Sequence, residues 1–474
     1  MKEFLTMRLQ SSRRDKKGHV TAPMGALVAL LLIVFIMGGA SRTDVQSLVI
    51  IRPVSILFLA YGLFNLRMSH IRRAPLSAAI IALAVLLVVL HLVPLPPSIW
   101  MSLPGRGIIA DIDRISGVGP VWRPLSMVPD MTRNALFSLA VPVAVLLMAL
   151  QVDERERTAL LPLFILFGLA SGLLGAMQSA GEPGGALYLY AQTTTGTANG
   201  LFANRNHNGV LLACLFPMLT AYSVMRTRER NGARWAWIAG ALSVVVLALV
   251  LVVGSRAGLL CAVMAIVLSP LLVRDRLRRT SRRVRRIAAL AYAAGCAGFV
   301  ALIGLFALFS RAESLQRLLA SDAEGDRRLQ VWGPVWEMTR AYFPVGSGIG
   351  SYIKVFQLNE PRDILTLNYS NHAHNDWLEV AMTAGLPGVL LLAATLIGIA
   401  LLSWRAWKSG GGGDPLLART ASIILLLLGL ASIGDYPMRT PSMMAFFVVA
   451  LVWLEVRPVV PSAGSSGEVS APGD

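Results

Sequence analysis

The chain has 474 residues, of which 55% are hydrophobic and only 15% charged, and its mean hydropathy is +0.63. A soluble globular domain carries about 45–50% apolar and roughly 25% charged residues; this composition excludes one. A net charge of +17 would suit nucleic acid, but most of the basic residues stand in short loops between apolar blocks, which is the distribution of a membrane protein.

The blocks run about 17–25 residues, enough to cross a hydrocarbon core of roughly 30 Å as a helix. In chain order, a basic tail (1–21, with Lys2, Arg8, Arg13, Arg14, Lys16 and Lys17) precedes a first span at 22–40. Gly38-Gly39-Ala40 resembles a signal-peptide cleavage region, but the apolar run exceeds an h-region of about 7–15 residues, so an uncleaved helix is expected. Further spans are expected at 46–66 and 75–93, and a Pro/Gly-rich polar stretch, 94–133, follows. Spans at 134–150 and 158–179 lead to a second polar loop, 180–206. That loop ends in Phe202-Ala203-Asn204-Arg205-Asn206-His207-Asn208-Gly209, at the mouth of a sixth span ending near Met225.

The seventh and eighth spans, 235–253 and 257–273, are separated only by Gly254-Ser255-Arg256. Residues 274–286 hold eight arginines against one aspartate, a pattern of topology and anionic-lipid contact. A ninth span is expected at 287–309 and the largest polar region at 310–375. Three last spans follow at 388–402, 416–433 and 438–456. The Gly410–Gly413 run and the Pro/Ser/Gly tail read as linkers.

The expected fold is therefore all-α: a polytopic membrane protein of about twelve transmembrane helices with a large extracytoplasmic loop. Its divisions are the basic tail (1–21), helices 1–9 (22–309), the outer catalytic loop (310–387), helices 10–12 (388–457) and a flexible tail (458–474). Alternating the loops puts the short basic ones, with both termini, on one side, which makes that side cytoplasmic. The long polar loops and the Gly254–Arg256 hairpin then share the opposite side. Cys214, Cys261 and Cys296 lie inside apolar blocks without CxxC spacing, so neither disulfides nor a thiolate metal site is indicated.

Chemistry concentrates in His372-Ala373-His374-Asn375-Asp376-Trp377. An imidazole titrates near neutral pH and suits removal of a proton from an attacking hydroxyl; the structural alternative is an interfacial histidine bonded to loop backbone. Three of the six histidines, His207, His372 and His374, fall in two loops of the same side. His372, His374 and Asp376 would share one face of an extended segment and leave a metal reading open, but no third histidine or cysteine stands at ligand spacing. On the same side are Arg205, Arg256, Arg327 and Arg328. Planar guanidiniums bind phosphate oxygens bidentately and suit a pyrophosphate, against the alternatives of a snorkelling arginine or a solvated helix face. Gly346-Ser347-Gly348-Ile349-Gly350-Ser351 lacks the preceding strand and terminal Lys-Ser/Thr of a nucleotide loop and is expected to be a tight turn.

These features resemble the O-antigen ligase / O-antigen polymerase superfamily of bacterial envelope glycan enzymes. His374-Asn375, nine residues, then Gly385-Leu386-Pro387-Gly388 is similar to its histidine motif. Arg256-Ala257-Gly258-Leu259-Leu260 is similar to its Arg-x-x-x-Leu motif, and Arg328-Leu329-Gln330-Val331-Trp332 to its outer-loop helix. Pro387 departs from that pattern and is expected to break the helix after His374. The resemblance implies a metal-independent, inverting glycosyltransferase of the bacterial inner membrane, its site facing the periplasm and no cofactor needed. It would move an undecaprenyl-pyrophosphate-linked glycan onto a hydroxyl of a lipid A–core-type acceptor (ligase) or of the next lipid-linked repeat (O-antigen or exopolysaccharide polymerase). His374 would be the base and Asn375 would orient it or a sugar. Arg256 and Arg328, with Arg205, would bind pyrophosphate, supported by His207, His372 and Arg327. From other classes, a flippase of lipid-linked glycan predicts repeat symmetry and mid-span polar residues, and a non-catalytic assembly partner would not need His374 beside arginines.

Overall fold

The computed structural model describes residues 20–226, 232–275, 282, 286, 323–365, 370–408 and 415–456. The expected ninth span, most of the arginine-rich segment and both terminal tails lie outside the described residues. The described helices are α1 (Ala22–Met37), α2 (Leu48–Phe64), α3 (Pro75–His91), α4 (Pro129–Gln151), α5 (Glu154–Ala180), α6 (Arg205–Arg226), α7 (Gly232–Val253), α8 (Arg256–Leu268, continued by the 3-10 turn Ser269–Val273), α9 (Ala323–Tyr342), α10 (Tyr352–Asn359), α11 (Asp376–Lys408), α12 (Leu416–Gly434) and α13 (Pro441–Glu455), with a few short turns between them. Seven are long and apolar enough to cross a membrane, and four shorter apolar helices accompany them among the described residues. Eleven expected spans each fall on one of these helices. This is a mostly helical, multi-pass membrane protein.

Lipid provides no hydrogen bonds, so an apolar run crossing it must satisfy its backbone internally, and helices result. Their starts are written locally. Thr21, Ser255 and Thr440 accept N–H bonds from Met24, Gly258 and Met443, and prolines occupy the first turns of α1, α3 and α13. Helix α6 runs through the centre, buried from Asn206 to Leu219, against α5, α7, α8 and α12. Gly209 and Gly258 let α6 and α8 meet backbone to backbone: a Cβ on Gly258 would stand 2.8 Å from the Gly209 Cα. Around this axis Phe35, Phe164, Phe167, Phe446 and Trp453 join α1, α5 and α13, with Phe35 stacked on Phe167 at 4.4 Å. Outward-facing Leu83, Leu86, Leu390 and Ile397 stay exposed, as side chains meant for lipid would.

At one end the loops build a cap with its own apolar core of Met127, Val335, Met338, Tyr342, Tyr352, Phe356 and Met382. Pro94–Leu95 (β1) and Arg123–Pro124 (β2) pair antiparallel. Buried Arg106 ties this hairpin region to the glycine turn by donating to Leu125 O (2.8 Å) and Gly346 O (3.0 Å). Burial pulls its pKa down to about 10, which leaves it charged at neutral pH. Met127 N–H donates to Ser347 O, and Asn371 to the Ser41 hydroxyl at 3.2 Å. Loops separated by hundreds of residues thus meet at one end. At the other end Glu455 accepts three bonds of 2.7 Å from Leu76 N, Ser77 N and Ser77 Oγ, closing the start of α3.

Two expected boundaries move. Helix α4 begins at Pro129, before the apolar stretch. Helix α11 begins at Asp376 rather than 388, and its break lies at Gly385 (φ 60°, ψ −152°), two residues before Pro387. Pro387 falls in the first turn after that break, where a missing N–H removes no helical bond.

Candidate functional site

The segment between the cap and α11 is held by the helix it precedes. Asn375 Oδ1 accepts from Trp377 N (3.1 Å) and Leu378 N (3.0 Å) and so caps α11. Asp376 and Glu379 stand in the first turn, where the helix dipole favours a carboxylate. Glu379 turns back to accept the Ala373 N–H (3.0 Å) and lies 3.1 Å from His372 Nδ1. Arg439, from the turn between α12 and α13, donates to Asp376 at 2.6 Å and lies 3.4 Å from Glu379. Burial opposes the Arg439 charge, and the two carboxylates overcome this and raise its pKa above the ordinary value.

His374 takes a left-handed conformation, φ 50°, which is uncommon outside glycine. This turn separates the two imidazoles: His372 faces Glu379, whereas His374 Nδ1 lies 3.5 Å from Asp435 Oδ1. The extended face on which His372, His374 and Asp376 would have met therefore does not form, and Asp376 is taken up by Arg439. Among the described residues no group of three His, Cys, Asp or Glu is arranged to hold a metal.

Asp435, at the end of α12, is 1% exposed and gathers the site. It accepts from Asn204 Nδ2 (3.3 Å), from Asn206 Nδ2 at close range and from the Tyr436 N–H (2.9 Å), with His207 Nε2 at 3.7 Å. The Tyr436 ring contacts all three imidazoles, its centroid 4.4 Å from that of His372, 4.9 Å from His374 and 5.3 Å from His207. Asn206 in turn accepts the Ser255 hydroxyl at 2.7 Å, one residue before Arg256. A continuous chain of contacts therefore runs from His374 through Asp435 and Asn206 to the α8 start.

Above this cluster is a cavity of about 350 Å³ lined by His374, His207, Asn204 and Tyr436, by Ser41 and Arg42, by Gln192–Thr194, and by Gln330 with Val331. Arg205, half-buried, and Arg256, exposed, begin α6 and α8 at the same end of the bundle, but neither forms this wall. Arg327 and Arg328 belong to α9, next to Gln330, and their side chains lie outside the described residues. The structure thus brings His207, His372, His374 and Asn375 together. It adds Asp435, Tyr436, Asn204, Asn206, Arg42, Glu379 and Arg439, none of which the sequence reading assigned to the site. The available signal for Asp435 was its place: an acidic residue in the outer turn between the last two spans.

Residues 241–393 match the family model described as O-Antigen ligase. The match includes Arg256, Arg327, Arg328, His372, His374, Asn375 and Gly385 and excludes His207 and Asp435. A comparison with curated proteins finds no match. The likeness to the O-antigen ligase family therefore rests on residues 241–393, about a third of the chain, within a protein whose apolar helices are those of a multi-pass membrane protein.

Proposed function

We propose that the protein transfers a glycan from a polyprenyl-pyrophosphate carrier to a hydroxyl acceptor, in the bacterial inner membrane with the site facing the periplasm. One observation carries this: the His374 imidazole stands between a buried carboxylate and a polar cavity large enough for sugar. In the reaction the acceptor oxygen forms a bond to the anomeric carbon, and the carbon–oxygen bond to pyrophosphate breaks on the opposite face, with inversion. The acceptor proton goes to His374, and the lipid pyrophosphate leaves with the bonding electron pair. Asp435 orients the imidazole and stabilises its charged form, the part a carboxylate plays behind a catalytic histidine.

Negative charge grows on the leaving pyrophosphate, so fixed cations there favour the transition state over the ground state. Arg256, Arg328 and Arg205 take that role, helped by Arg42 on the cavity wall. Asn375 acts through its cap, holding the start of α11 and with it the left-handed turn at His374. His207, His372 and Arg327 are supporting groups. A ligase and a polymerase differ only in the acceptor.

The test is replacement in a strain lacking the gene. His374→Ala should reduce transfer by about 10²–10⁴-fold, with lipid-linked precursor accumulating and Arg256→Ala giving a partial loss. Normal surface glycan from a well-expressed His374→Ala protein would reject the base assignment. In the deletion strain, single repeats indicate a polymerase and long unattached glycan a ligase.

A further inference from the structure

A second cavity, about 210 Å³, adjoins the first and shares Ser41, Arg42 and Asn371 with it. Its wall on α4 runs from Met131 to Pro142, which at a rise of 1.5 Å per residue is about 16 Å, roughly half the hydrocarbon thickness. That wall is mostly apolar, with Leu48 and Met444 also lining the space. A groove whose lining extends that far along one helix suits an apolar chain.

The groove also contains three guanidiniums, Arg42, Arg52 and Arg439, and one carboxylate, Glu379. They are differently committed. Arg439 is held by Asp376 and Glu379, and Arg42 pairs with exposed Asp44 at 2.8 Å. Arg52, in the first turns of α2, donates to Asn134 Oδ1 (2.5 Å) and Ser138 Oγ (3.3 Å), both neutral, and its Nε is buried with no hydrogen-bond partner. A cation inside an apolar helix, held only by neutral groups among the described residues, is costly until an anion reaches it. A guanidinium with unused donors suits phosphate oxygens.

We propose that this groove binds a second polyprenyl phosphate lipid, its phosphate group at Arg52 and its first apolar units along α4. The proposal rests on the glycosyl-transfer reading and names the acceptor class: a glycan carried on its own lipid phosphate. It would be presented to His374 across the Ser41–Arg42–Asn371 wall, while the cations at the starts of α6 and α8 serve the donor. Two phosphate sites, one in this groove and one at the starts of α6 and α8, let both lipid-anchored substrates reach one imidazole without leaving the membrane.

The test counts bound lipid by native mass spectrometry of the purified full chain in detergent, using undecaprenyl pyrophosphate as probe and phosphatidylglycerol as competitor. The wild type should hold two probe molecules. Arg52→Gln should hold one, with the weaker site losing roughly tenfold or more in affinity, and Arg52→Lys should restore much of it. If Arg52→Gln does not fold, Leu139→Trp, which fills the groove, should lose the same molecule. Two molecules retained in Arg52→Gln or Leu139→Trp, one molecule in the wild type, or equal competition by phosphatidylglycerol overturns the proposal. Binding is read without turnover. A failed groove therefore leaves the His374 assignment standing, and an active His374→Ala protein would leave the lipid count unchanged.

Discussion

Buried Asp435 accepts from two amides and a backbone N–H and lies beside two imidazoles, His207 and His374. A carboxylate in that position stabilises the positive charge that develops when the imidazole beside it takes a proton. Asp435→Asn removes the charge and presents an NH2 where Asn204 and Asn206 already donate. The expected outcome is a loss of transfer of about 10²-fold or more, with protein level in the membrane close to wild type, read by immunoblot beside the surface-glycan assay. Wild-type glycan from Asp435→Asn would remove this residue from the mechanism. The histidines were legible because they are scarce and clustered in sequence. Asp435 was not, because its meaning depends on α12 ending beside α6, a tertiary fact that neither spacing nor hydropathy encodes. Asn375 was legible as a member of the motif, but its cap is visible only once α11 is seen to begin at Asp376.

Helix α11 shows how hydropathy finds the bilayer part of a helix and misses the rest. Its first nine residues carry Asp376 and Glu379, so an apolar window opens only after the glycine turn. Proline has the strongest general claim to such a break, but the chain breaks at Gly385. The Gly385 φ of 60° is left-handed, and a Cβ there would stand 2.2 Å from Pro344 O, which in turn accepts the Leu386 N–H at 2.8 Å. Gly385→Ala should therefore destabilise by more than about 1–2 kcal/mol, the conformational cost alone, and displace the glycine turn from α11. Pro387→Ala should change stability by no more than about 1 kcal/mol and leave transfer near wild type. Thermal melts of the two purified variants decide: a larger loss from Pro387→Ala would mean that the proline holds the break. The other ten spans that fall among the described residues were legible because each apolar block has the length and composition of a helix. What hydropathy could not supply was their arrangement, including the close approach of Gly209 and Gly258 that puts the α8 start beside the site.

Across the whole molecule, charge and structure make a joint prediction about sides. The cap, the histidine cluster and the starts of α6 and α8 gather at one end. The short basic loops, such as that around Arg67, Arg72 and Arg73, and the end of α11 at Arg405 and Lys408 belong to the other. Lysine and arginine in short loops are retained on the cytoplasmic side, which predicts that the cap and its cavities lie outside. Single cysteines in a background with Cys214, Cys261 and Cys296 replaced by serine test this directly. Ser116→Cys and Glu182→Cys, both at exposed cap positions, should react in intact spheroplasts with a membrane-impermeant maleimide. Ser69→Cys and Lys408→Cys, both exposed at the other end, should react only after permeabilisation. The reverse pattern would put His374 in the cytoplasm and end the proposal of a periplasmic transferase. Labelling of Ser116→Cys and Glu182→Cys from different sides would instead show that the first two long loops do not share a face. The cap could not then form, because α3, α4, α5 and α6 feed it from the same end.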